Sequence, residues 1–124
     1  MSYPAMLFGA FSSAILATLA TAVLLGPTRR QPLLLLTAAL SAFTGPLAWN
    51  SILRATGATG AFSHDIPFRP FPISWQDTGS GVFALAVAFT ALSLGAGARA
   101  PARQAARLAA IVALAALLVD IYLY

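Results

Sequence analysis

The chain has 124 residues, of which 60% are hydrophobic and only 8% are charged, and its mean hydropathy is +0.85. Soluble domains carry roughly 25% charged residues, so this set cannot build a water-exposed surface, and its blocks of apolar residues indicate membrane spans. The chain has no cysteine, which excludes disulfides, thiolate metal sites and cysteine nucleophiles, and its formal charge of +4 comes from seven arginines.

The first two apolar segments, about residues 3–26 and 32–53, are each long enough for a bilayer of about 30 Å. The chain start lacks the basic region of a signal peptide, so we expect a retained helix, with Ser2 as its cap and Pro4 in its first turn. In the second segment, Gly45-Pro46 removes a backbone hydrogen bond and predicts a kink.

The third and fourth apolar segments cover about residues 78–97 and 101–123. Asp77 is the predicted N-cap of the third, because a carboxylate there accepts hydrogen bonds from free N–H groups. The predicted fold is therefore all-α, a single domain over residues 1–124 that forms an integral membrane bundle of four helices. A proline-rich loop over residues 54–77 joins its two hairpins.

The arginines predict the orientation of these spans. Five of the seven lie in the turns after the first and third spans or just inside the fourth span, and the positive-inside rule assigns that side to the cytoplasm: Arg29, Arg30, Arg99, Arg103 and Arg107. Each hairpin then runs out-in-out, and both termini and the 54–77 loop lie outside the plasma membrane of a bacterial cell. The aromatic residues typical of an interface fall on that outer side: Tyr3, Trp49, Trp75, Tyr122 and Tyr124.

Small residues at four-residue spacing let membrane helices approach closely. The first span has such a face in Gly9, Ser13 and Ala17, and the fourth has one in Ala106 and Ala110. These faces fit internal packing of the bundle and equally fit docking on a larger assembly.

The outer loop combines rigidity with apolar side chains. Pro67, Pro70 and Pro72 exclude a helix and favour an extended ribbon. A self-packed lid over the bundle and a partner-docking element are both compatible with the ribbon's side chains: Ile66, Phe68, Arg69, Phe71, Ile73 and Trp75.

Few residues could form a polar site: His64, Asp65, Asp77, Asp120 and Asn50. Asp120 is four residues from the C-terminus, and we expect an interfacial carboxylate that reaches water. The alternatives are a partner for Arg54 or Arg69, or a proton or cation site. One imidazole with scattered carboxylates has no metal-ligand spacing, and no nucleophile–base motif is present. We expect no metal, no cofactor and no catalytic residue.

Three stretches, "PLAWNSILRATG", "FPISWQDTGSGVFALA" and "LLVDIYLY", resemble small uncharacterised four-helix integral membrane proteins of high-GC Gram-positive bacteria. The resemblance covers most of the chain and implies no activity.

Together these patterns predict a non-enzymatic accessory subunit of a larger membrane protein complex, which docks through its small-residue faces and residues 62–77. The expected partners are the lipid bilayer and other membrane protein subunits. Nucleic acid is not expected, because the arginines flank membrane spans and suit anionic lipid headgroups. The alternative function is a small oligomeric transporter or channel, with Asp120, Asn50 and Thr44 near its path.

Overall fold

The computed structural model describes residues 2–27, 29–66, 72–96 and 101–123. Four long helices occupy most of them: α1 (Tyr3–Leu25), α2 (Gln31–Ala55), α4 (Trp75–Ala91) and α5 (Ala102–Leu123). Between α2 and α4 lie a short helix, α3 (Thr59–Phe62), and an antiparallel pair of strands, β1 (Asp65–Ile66) and β2 (Ile73–Ser74).

The long helices confirm the predicted all-α bundle of four apolar helices. Each is long and apolar enough to cross a membrane, and the span that contains α4 is counted from Trp75 to Gly95. They form a ring in which α1 packs against α2 and α5, while α4 packs against α2 and α5. Such an arrangement is compatible with a multi-pass membrane protein.

Alanine dominates the core of the bundle, whereas large apolar side chains such as Phe8, Phe11, Leu85 and Phe89 point outward. A soluble bundle would show the reverse, because water drives large apolar groups inward. In lipid, small buried residues let the backbones approach closely. Eight alanines belong to the core cluster: Ala17, Ala38, Ala42, Ala84, Ala88, Ala109, Ala115 and Ala116.

The Gly45-Pro46 pair does not break α2, which continues as a helix from Gln31 to Ala55. Gly45 is important for packing, because the backbones of α2 and α4 are in contact at this residue. A Cβ atom placed on Gly45 would lie 2.5 Å from both the N and the Cα of Ala84. Only glycine permits this approach of the two helices.

The start of α4 differs from the prediction. The helix begins at Trp75, three residues before the predicted residue 78, and its N-cap is Ser74 rather than Asp77. The Ser74 hydroxyl accepts from the Asp77 N–H at 3.1 Å, and the Asp77 carboxylate accepts from the Ser74 N–H at 2.8 Å. This reciprocal capping box satisfies two backbone donors, so Asp77 acts from inside the first turn. At the other end, a π-helical turn, Leu92–Ala96, follows Ala91 where a regular helix to about residue 97 was expected.

The loop between α2 and α4 is described only in part. Ile66 pairs with Ile73 in the strand hairpin, which agrees with the predicted extended ribbon at these two positions. Trp75 is exposed as the first residue of α4. The other three predicted docking residues, Phe68, Arg69 and Phe71, lie outside the described residues.

Candidate functional site

Asp120 lies inside the bundle, although it is within one turn of the end of α5. The residue is 1% exposed, and neither carboxylate oxygen has a hydrogen-bond partner in the described part of the chain. The predicted interfacial carboxylate that reaches water is therefore wrong. The reason lies in the helical period, because Asp120 continues the inward face of α5 that includes Val112, Ala116 and Val119.

Two polar side chains from neighbouring helices face Asp120. They are Asn50, near the end of α2, and Ser80, near the start of α4. The Asn50 amide donates to the Ser80 hydroxyl at 3.4 Å, a long bond between two buried groups. Both lie close to the Asp120 carboxyl, but neither makes a hydrogen bond of standard length and angle to it. Three helices thus contribute one polar side chain each to a buried cluster, which we call the Asp120 cluster.

Asp77 is a second carboxyl beside the cluster. It is buried in the first turn of α4. Its own carboxylate oxygen is engaged in the capping box with Ser74, whereas Asp120 has no such partner. The two carboxyls therefore differ, since one is held in a structural motif and the other has no hydrogen-bond partner among the described residues.

An aromatic group packs at the same end of the bundle. The Trp49 indole N–H donates to the Gln76 carbonyl at 2.9 Å and so ties α2 to the first turn of α4. Its ring packs between Phe62 and Phe83 and lies directly against Gly79, where a Cβ atom would overlap it. Trp49 is half-buried and serves helix packing, and its place at the membrane interface stays a prediction.

The opposite end of the bundle core buries large apolar residues beside the hydroxyls of Thr21 and Thr37. Leu34 of α2, Leu108 of α5 and Leu92 of the π-helical turn are almost fully buried there and belong to the core cluster. Val112 is also buried on α5, and the distance from Val112 to Asp120 is about 12 Å along the helix axis. Along α5, the buried residues between Asp120 and the arginine end are all alanine, valine and leucine.

Among the predicted polar residues whose side chains are described, His64 and Thr44 lie outside the cluster. His64 is exposed beyond α3, and Asp65 lies in β1, where only its backbone is described. Thr44 is exposed and donates to the Leu40 carbonyl at 2.7 Å, and its place near a transport path stays a prediction. The Arg54 guanidinium lies over the Tyr3 ring at 4.4 Å, and Asp120 has no hydrogen bond to it. Arg69 falls outside the described residues.

The two predicted small-residue faces have different positions. Gly9, Ser13 and Ala17 are buried and pack inside the bundle. Ala106 and Ala110 are exposed on the outside of α5. The first face therefore has the internal role, and the second faces lipid or another protein.

Ser80 is the cluster residue that the sequence analysis missed. It lies three residues after Asp77 and four before Ala84, and all three belong to the buried face of α4. This spacing, together with the four-residue period of Ala84 and Ala88, indicates in the sequence that Ser80 lies on the buried face of α4.

The donor set limits what the cluster can bind. Among the described residues there is no group of three or more histidine, cysteine, aspartate or glutamate side chains that could hold a metal ion. The cluster instead offers one unpartnered carboxyl, one amide and one hydroxyl. Ser13 and Thr21 are also buried without hydrogen-bond partners among the described residues, but a neutral hydroxyl costs less to bury than a charged carboxylate.

Comparisons with protein-family models, with curated proteins and with solved structures found no match to this chain.

Proposed function

We propose that this chain is a small membrane transporter or channel that takes up a proton or a monovalent cation at Asp120. The proposal rests on one observation. Asp120 lies in a helix long enough to span a membrane, is 1% exposed, and has two carboxylate oxygens without hydrogen-bond partners in the described part of the chain. An ionisable group inside a span is costly and commonly marks an ion or proton pathway.

The chemistry of the carboxyl supports this assignment. An isolated carboxylate in an apolar interior is so unfavourable that a positive charge must compensate it. No arginine makes a hydrogen bond to Asp120 among the described residues. A proton on the carboxyl or a cation held by Asp120, Asn50 and Ser80 would supply that charge, and either one could be exchanged.

The direction of uptake follows from the predicted orientation. With the arginine turns in the cytoplasm of a bacterial cell, the Asp120 cluster lies near the outer surface of the plasma membrane. The buried leucines at the arginine end, Leu34, Leu92 and Leu108, lie between the cluster and the inner side, so a bound ion meets the outer solution first. Release of the ion to the inside requires the helices to move apart around these leucines, as in a transporter or a gated channel rather than an open pore.

Reconstitution of the purified chain into liposomes tests the proposal. Gradients of H⁺, Na⁺ and K⁺ are imposed one at a time, and flux is compared with that of protein-free vesicles. We expect flux above the protein-free level for one of the three ions. Protein-containing vesicles that are as tight as empty ones for all three ions contradict transport.

An accessory subunit of a larger complex is the second candidate function. The exposed position of Ala106 and Ala110 favours it, because small residues on a lipid-facing surface permit close approach of another helix. Purification at native levels in mild detergent is expected to yield a particle that contains further membrane proteins. A monodisperse particle of this chain alone contradicts the accessory role and leaves transport as the function to test.

A further inference from the structure

The groove between α1 and α5 at the arginine end of the bundle differs in its lining from three other grooves on the bundle surface. It has a volume of about 340 Å³, and Arg107 borders it. Three further grooves on the bundle surface are lined by uncharged residues only. The remaining lining of the charged groove is apolar: Leu24, Leu25, Ala110, Ile111 and Leu114.

The groove is amphipathic along the helix axis. Arg107 lies in the second turn of α5, close enough to the helix end for its guanidinium to reach the headgroup level while its stem stays in apolar surroundings. Leu114 lies seven residues further along, which is about 10 Å deeper in the membrane. One charged end and an apolar trough of that depth match the shape of a phospholipid, with a phosphate at the surface and an acyl chain below it.

The charge of this end has no carboxylate to balance it. The three acids of the chain, Asp65, Asp77 and Asp120, all lie toward the opposite end of the bundle, whereas Arg29, Arg30 and Arg103 share the end of Arg107. An arginine fork binds phosphate oxygens with matched geometry, and basic pockets between membrane helices bind anionic headgroups.

We propose that this groove binds one anionic phospholipid, with its phosphate on Arg107 and one acyl chain along Ala110, Ile111 and Leu114. The site is about two helical turns or more from the Asp120 cluster and does not depend on transport. Its occupant is a lipid rather than free phosphate, because an inorganic anion would leave the apolar trough unfilled.

Native mass spectrometry of the full chain, delipidated in mild detergent and then mixed with phosphatidylglycerol or phosphatidylcholine, tests the site. We expect the wild type to retain one phosphatidylglycerol in preference to phosphatidylcholine. Arg107→Gln is expected to lower that preference about fivefold, the effect of one basic residue near an anionic lipid. Ala110→Trp, at an exposed position, fills the trough and is expected to reduce retention of the lipid.

Arg54→Gln is the matched control, since it removes an arginine at the other end of the bundle, and its lipid preference is expected to equal that of the wild type. An unchanged preference in Arg107→Gln overturns the proposal, and so does an equal loss in Arg54→Gln, because binding would then follow net charge alone. The proposal is also overturned if the Ala110→Trp variant retains the lipid but no longer associates with another chain. A protein would then occupy the groove.

Discussion

In liposomes, Asp120→Asn is expected to reduce ion flux through the protein at least tenfold, to the level of protein-free vesicles. Asparagine has nearly the shape of aspartate, so the packing of α5 against α2 and α4 is preserved. The amide cannot take up or release a proton and has no charge to balance a cation. Because Asp120 is the buried carboxyl without a partner, the loss should affect ion uptake directly.

Two further variants separate transport from folding. His64→Ala changes an exposed residue outside the cluster, and its flux is expected to equal that of the wild type. Asp120→Leu should also lose flux yet raise the free energy of unfolding by about 1–3 kcal/mol, because it removes an unsatisfied buried polar group. Full flux in Asp120→Asn would show that ions do not use this carboxyl, and lower stability in Asp120→Leu would show that the carboxyl supports the fold.

Gly45→Ala is expected to destabilise the bundle by about 2 kcal/mol. The added methyl group would lie 2.5 Å from backbone atoms of Ala84, so α2 and α4 must separate by nearly 1 Å to reach ordinary contact distances. Overpacking of this kind costs about 1–3 kcal/mol, and a rigid backbone cannot move aside as a flexible side chain can. Equilibrium unfolding by SDS in mixed micelles, followed by tryptophan fluorescence, measures the difference.

Gly95→Ala is the matched control, because a Cβ atom there would meet no atom within 4 Å. It makes the same chemical change and is expected to leave the free energy of unfolding within about 0.5 kcal/mol of the wild type. Gly45→Ala should also weaken ion uptake, since Asn50 and Ser80 lie on the same two helices and form the cluster across their contact. Equal stability of the two variants would contradict the close approach of α2 and α4.

The helical fold could be predicted because membrane spans depend on composition and length. A run of about 20 apolar residues needs no knowledge of its neighbours to be identified as a span. The boundaries were less predictable, as α4 shows. Its start depends on the reciprocal bonds of Ser74 and Asp77, and the sequence "SWQD" allows either residue to cap.

The candidate site was predicted only in part. Asp120, Asn50 and Asp77 were recognised as possible site residues, but only the tertiary structure shows which polar residues share one end of the bundle interior. The burial of Asp120 was missed because its distance from the C-terminus was given more weight than its place on the inward face of α5. Ser80 was missed because serine is common in membrane helices, and its role depends on Asn50 from another helix.

The packing faces illustrate the same limit. Spacing alone gave both helices a small-residue face and could not show which one is internal. The face of Gly9, Ser13 and Ala17 is buried by contact with the other helices, while Ala106 and Ala110 remain outside. That distinction depends on how each helix is rotated in the bundle, which is a property of all four helices together.

Infrared difference spectroscopy of the protein in lipid tests the central claim most directly, namely that the buried Asp120 carboxyl exchanges a proton or a monovalent cation with the solution. The chain has only three acidic side chains, so the carboxyl bands can be assigned by substitution. We predict a carboxyl band that changes when the pH or the Na⁺ or K⁺ concentration is changed and that is absent from Asp120→Asn. Difference spectra that are identical in the wild type and in Asp120→Asn would contradict the account.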